Sequence, residues 1–135
     1  MMYAVQVKRV YDAPEASDGW RVLVDRLWPR GVSKAAAHLS AWERQLAPSD
    51  EIRKAFGHEA SRFQPFRQAY TRELSANPRA HEFARECARA LRQENVTLLY
   101  GAKDETCNNA VVLLEWLIRN GPAKEDKEPG ASGTP

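Results

Sequence analysis

The sequence predicts an α/β fold: a layered sandwich with a small, mainly parallel sheet of three to four strands flanked by helices. Three observations predict it. Arg21 to Trp28 and Val96 to Gly101 carry continuous apolar runs, VLVDRLW and VTLLYG, as strands covered on both faces do. The long stretch between them shows apolar residues at helical spacing with clear start and stop signals. The order strand, helices, strand, helix is that of strands joined by helical crossovers.

The elements follow in chain order. Tyr3 to Val10 alternates loosely between apolar and polar residues and reads as the first strand. Asp12 to Gly19 (DAPEASDG) is a polar loop, and it leaves open whether the first two strands run parallel or antiparallel. Ser40 and Glu43 have the S-x-x-E spacing of a capping box, which predicts a short helix ending before Pro48. Ser49, Asp50 and Glu51 open another helix, and Gly57 stops it. Phe63, Phe66, Tyr70 and Leu74 form one apolar stripe, with Pro65 tolerated only near that helix's start. Asn77 caps the next helix, Pro78 is its first residue, and Ala80, Phe83, Ala84, Cys87 and Leu91 make its buried face. Thr106 is the expected cap of a last, central helix that is apolar nearly all round. Residues 1–119 thus read as one domain. Asn120 to Pro135 (NGPAKEDKEPGASGTP) has too little apolar surface to offset its ordering entropy and reads as a disordered tail.

With 135 residues, 43% of them hydrophobic and 28% charged, the chain can bury one proper core. The longest apolar run, Ala110 to Leu114, is far too short to span a bilayer, so no membrane role is expected. The segment MMYAVQVKRV has no secretory pattern, which makes a cytoplasmic location the expectation. A net charge of +2 does not by itself announce a nucleic-acid binder. The cations are lopsided, however, with fourteen Arg against six Lys. Arg is favoured where planar, bidentate contact to carboxylate or phosphate matters, although base composition alone also produces such a bias.

Chemistry concentrates at two strand ends. The second strand runs into Asp25 to Gly31 (DRLWPRG), and ligands in open α/β sheets sit outside the carboxyl ends of strands. Asp25 interrupts an apolar strand and must be paired or hydrogen-bonded there, with Arg9 or Arg26 as natural partners. Trp28 and Arg30 flank Pro29, and at least one should face solvent, where Trp28 would stack on a flat ligand; the alternative is a Trp packed over the sheet end. The third strand ends in Gly101 and the turn Lys103 to Asn109 (KDETCNN). A helix start beside Lys103 favours an anion, and Cys107 would lie in the first helical turn, where a thiol gains reactivity. The glycine-rich loop and closing Arg of a cysteine phosphatase are missing. Cys87 belongs to a core face, and His58 follows Gly57 in a polar break, which reads as a surface histidine. No spacing of His, Cys or carboxylates suggests a metal, and no P-loop, dinucleotide fingerprint or nucleophile elbow is present, so no cofactor is expected.

The stretches KRVYDAPE (Lys8 to Glu15), DGWRVLVDRLWPRGVSK (Asp18 to Lys34), LAPSDEIRKAFGH (Leu46 to His58) and LLYGAKDETCNNAVVLLEWL (Leu98 to Leu117) resemble the YeaO-like family of small bacterial proteins. The resemblance implies a cytosolic α/β fold and supplies no reaction. It marks Asp25, Arg26, Trp28, Arg30, Asp104, Cys107 and Asn108 as the polar core of the pattern. Members of the family commonly carry His where this chain has Cys107, which weakens any mechanism that needs imidazole chemistry at that position.

Three functions stay open. In the first, the strand ends bind, and in one version act on, a small anionic, phosphate- or nucleotide-like ligand. Arg9, Arg26, Arg30, Lys103 and Asn108 would hold it, Trp28 would stack on it, and Asp25, Asp104 and Cys107 would be the reactive groups. In the second, Arg30 and Trp28 contact nucleic acid, although Glu73, Glu82 and Glu86 interleave with the helical Arg residues as on a solvated face. In the third, the same residues only knit the fold or meet a protein partner. The sequence leaves the oligomeric state open.

Overall fold

The computed structural model describes residues 3–120. Four strands form one sheet in the order β1-β4-β2-β3: β1 is Val5–Arg9, β2 Trp20–Leu23, β3 Ala41–Trp42 and β4 Val96–Tyr100. Every pairing is parallel, with Val7 and Val22 both opposite Leu98. The first two strands are therefore parallel but not neighbours, because β4 inserts between them. All five residues of β4 are buried, which is why its sequence is apolar but for Thr97, whose hydroxyl donates to Asp18 O.

Among the described residues five α-helices accompany the sheet: α1 (Lys34–Ala37), α2 (Asp50–Phe56), α3 (Phe63–Ala76), α4 (Pro78–Ala90) and α5 (Asn109–Asn120). The pleat sorts adjacent residues to opposite faces. Val22 and Leu98 join the main core with Tyr70, Phe83 and Trp116 from the helices. Leu23 and Leu99 turn the other way and, with Val10, are covered by Trp28, Val32, Leu39 and Trp42. Each fully buried Leu or Val here contributes about 1.5–3 kcal/mol, so both faces are needed to hold the sheet. None of the helices among the described residues is long and apolar enough to cross a membrane.

Several expectations are corrected. Ser40 and Glu43 do not open a helix: Ser40 N–H donates to Arg21 O and Glu43 N–H to Leu23 O, so the chain is taken up as the edge strand β3. The Ser40 hydroxyl accepts from Arg21 N–H instead of capping. Ser49 does precede α2, yet its hydroxyl is turned to Glu73 Oε2 at 2.6 Å. Thr106 is not the cap of α5, because Asn108 Oδ1 accepts from Val111 N–H at 3.0 Å and the helix starts at Asn109. The ladder of β2 stops at Leu23, with Val24 N–H still reaching Leu99 O, so Asp25 to Trp28 lie beyond the strand. The tail expected from residue 120 lies outside the described residues, except that Asn120 ends α5.

One polar cluster anchors the far end of the sheet. Asp18, 2% exposed, accepts from Lys8 Nζ, Arg21 Nη1 and the backbone of Glu15. Gly19 follows at φ +64°, and a Cβ there would lie 2.2 Å from Asn95 O, so the turn that feeds β2 requires glycine.

Candidate functional site at the strand ends

Parallel strands leave their carboxyl ends on one edge, and here β2 and β4 end side by side. Beyond them lies a cleft of about 620 Å³. One wall is the segment after β2, a second the turn after β4, and a third comes from α2 and its C-terminal loop. The start of α5 closes the floor.

Asp25 sits at the bottom. One carboxylate oxygen accepts from Gly101 N–H at 2.9 Å and the other from Asn109 Nδ2 at 3.0 Å. Asn109 Nδ2 also donates to Val24 O, which ties α5 to the end of β2. Burial pushes the Asp25 carboxyl above the usual carboxylate range, while these two hydrogen bonds and the nearby His58 work against the rise. Asp25 is hydrogen-bonded, as a carboxylate at this position must be, but by Gly101 and Asn109 and not by Arg9 or Arg26. Arg9 donates to the carbonyls of Ala102 and Gly101 and lies over the Tyr11 ring. Arg26 donates to Pro48 O and approaches Asp50. A neutralising contact from backbone and amide was invisible locally, since Gly101 and Asn109 lie 76 and 84 residues away.

Of the other residues singled out, Arg26, Trp28, Lys103, Asp104 and Asn108 line the cleft with Asp25, whereas Arg9, Arg30 and Cys107 do not. Trp28 is half-buried: its indole N–H donates to Val32 O at 2.6 Å and its ring meets Trp42 edge-on at 5.3 Å. It packs over the sheet end while its margin borders the cleft. Asp104 Oδ1 accepts from Thr106 N–H, Thr106 Oγ1 and Cys107 N–H, and the Cys107 bond leads in holding that carboxyl below its ordinary range. Asn108, 1% exposed, caps α5 and donates to Asp104 O. Cys107 lies two residues before α5 rather than in its first turn. Cys87 is buried in the core, where desolvation pushes its thiol up to about 12.

Tyr11, Arg53, His58 and Asn109 line the cleft without having been singled out by sequence reasoning. Arg53 comes from α2, where it looks like any solvent-facing helical Arg. His58 lines the cleft from a left-handed backbone position, φ 60°. That conformation is uncommon for a non-glycine residue, and it is a feature of the fold that no local sequence pattern announces. Apolar surface comes from Leu27, Pro48, Phe56 and Phe66. Among the described residues, no group of His, Cys, Asp or Glu is arranged to hold a metal ion.

Comparison with known proteins places the chain in a family. Residues 4–134 match the family model described as the inactive DUF488-N3 subclade. YeaO of Escherichia coli (strain K12), an uncharacterized protein, is 44% identical over 113 residues, which is 84% of this chain and 96% of the relative. Uncharacterized proteins of Mycobacterium tuberculosis (strain ATCC 25618 / H37Rv) and Mycobacterium bovis (strain ATCC BAA-935 / AF2122/97) are each 34% identical over 113 residues, covering 84% of this chain and 92% of theirs. No solved structure matches. The chain belongs to the YeaO-like bacterial family described as the inactive DUF488-N3 subclade.

Proposed function

We propose that the strand-end cleft is a binding site for a small anionic ligand with a flat apolar part, of phosphate- or nucleotide-like chemistry, in a cytoplasmic protein that holds this ligand without transforming it. The observation that carries the reading is the convergence of Arg26, Arg53 and Lys103, from three separate segments, on a cleft with substantial apolar wall. Cations from several elements meeting in one concavity are what recognition of an anion requires, and the exposed Leu27 with the margin of Trp28 offers apolar surface to a flat body. Binding without chemistry is favoured because the groups put forward for reaction are tied up or displaced: Asp25 is held by Gly101 N–H and Asn109 Nδ2. Asp104 holds a turn, Asn108 caps a helix and Cys107 lies off the cleft. The subclade's description as inactive points the same way.

The test is thermal denaturation across a panel of nucleotides, phosphosugars and inorganic phosphate. A ligand present at a hundred times its Kd stabilises by about 2.7 kcal/mol, or several degrees in Tm for a domain of this size. Lys103→Ala should diminish the shift without lowering the ligand-free Tm, because Lys103 is exposed. A flat response across the panel overturns the reading.

A further inference from the structure

Arg26 and Arg53 are brought together by one carboxylate. Asp50 Oδ1 lies 3.2 Å from Arg53 Nη2 and 3.7 Å from Arg26 Nε. The pairing is underfilled. The Nε atoms of both arginines are buried and have no hydrogen-bond acceptor. Each guanidinium carries five N–H groups in a fixed fork, and a single carboxylate oxygen shared between two of them satisfies few. A phosphate monoester offers three terminal oxygens to the same two forks.

Asp50 is also free to leave. It is the first residue of α2, and its side chain is 61% exposed, more than either guanidinium. The hydrogen bond from Arg53, with the charges of Arg53 and Arg26, holds its carboxyl below the usual range, so it is a charged counter-ion in the ligand-free protein. An exposed pair of this kind is weak and readily exchanged.

We infer that Asp50 is a placeholder: from outside the cleft lining it keeps Arg26 and Arg53 together, and the ligand's phosphate group competes with it for the two guanidinium groups. The inference rests on the binding function proposed above and names the residue that tunes its affinity. Removing the placeholder removes a competitor, so Asp50→Asn tightens binding of a phosphate-bearing ligand. The gain is bounded by the strength of an exposed ion pair, which makes it about two- to fivefold. Arg53→Gln removes half of the clamp and weakens binding about tenfold or more.

The experiment is titration calorimetry with adenosine monophosphate, inorganic phosphate and uncharged adenosine on the wild type, Asp50→Asn, Arg53→Gln and the double variant, each first shown to be folded by its melting profile. Glu51→Gln controls for charge alone, since Glu51 is an exposed carboxylate in the same helical turn. The expected result is tighter binding of the two phosphate probes by Asp50→Asn only, unchanged adenosine binding, and no gain from Asp50→Asn once Arg53 is Gln. Unchanged or weaker phosphate binding by Asp50→Asn, an equal gain in Glu51→Gln, or a gain that survives in the double variant overturns the placeholder while leaving the binding site intact. If neither the wild type nor Asp50→Asn binds either phosphate probe, the binding site itself is refuted and the placeholder with it.

Discussion

Replacing Asp25 by Asn and by Ala separates the two things this carboxylate does, and the structure sets the size of each effect. At neutral pH the charged form carries a desolvation cost, seen in its raised pKa, and accepts from Gly101 N–H and Asn109 Nδ2. Ala leaves both donors without that acceptor. Asn109 keeps Val24 O, but Gly101 N–H loses its partner, at about 1–3 kcal/mol. Asn keeps one acceptor for Gly101 and presents an NH₂ toward Asn109, losing about one hydrogen bond while removing the buried charge, so its stability should fall within about 1 kcal/mol of wild type. The pH dependence has a definite sign. Because the folded carboxyl binds its proton more tightly than the unfolded one, wild-type stability from this residue declines as pH rises from about 4 through the raised folded pKa. Asp25→Asn lacks that decline, so its stability relative to wild type improves from pH 4.5 to pH 7.5. Urea denaturation at those two pH values measures both quantities. Equal destabilisation by Asn and Ala at pH 7.5, or a difference from wild type that ignores pH, would refute the view of Asp25 as a carboxylate held against its desolvation.

Two other substitutions probe what lies off the cleft. Asp18→Ala leaves the 4%-exposed Arg21 without its carboxylate and Lys8 with the exposed Glu15 alone, and should cost about 3–5 kcal/mol in urea denaturation. Burial opposes the charged form of Asp18, but the Glu15 N–H, Lys8 and Arg21 outweigh it and lower the pKa, so the contribution is present above about pH 4 and is lost as pH falls through the lower folded value. Cys107→Ser should change stability by less than about 0.5 kcal/mol and leave calorimetric binding of phosphate ligands unaltered, because Cys107 does not line the cleft. Loss of ligand binding in that variant would return the thiol to the site.

What was legible in the sequence was what local patterns encode. The buried run of β4, the stripe Phe66, Tyr70 and Leu74, and the Asn77–Pro78 helix start stand where periodicity and caps put them, whereas β2 takes up only the first part of its apolar run. The edge strand β3 has two residues, too few for any period, and its S-x-x-E flank carries a helix signal that sheet hydrogen bonds to Arg21 and Leu23 overrule. The turn at Asp104 was encoded too. An Asp whose side chain accepts from the backbone two and three residues on is a local turn device, and it competes with any reading of Asp104 as a free carboxylate.

The site was legible at its anchors and illegible at its closure. DRLWPRG and the turn after β4 stood out because polar residues there interrupt apolar strands, and parallel topology then guarantees that the two ends meet. Which side chains face each other across the gap depends on α2, and a helical Arg carries no mark of what its face will meet. Arg53 and His58 enter the cleft because Phe56 stacks on Phe66 and docks α2 over the end of the sheet, a packing decision taken in the core. That same docking sets Asp50 between Arg26 and Arg53. The anion binding proposed for the cleft would thus depend on how one short helix sits, so substitutions in the Phe56–Phe66 contact should alter ligand affinity before any residue of the cationic clamp is touched.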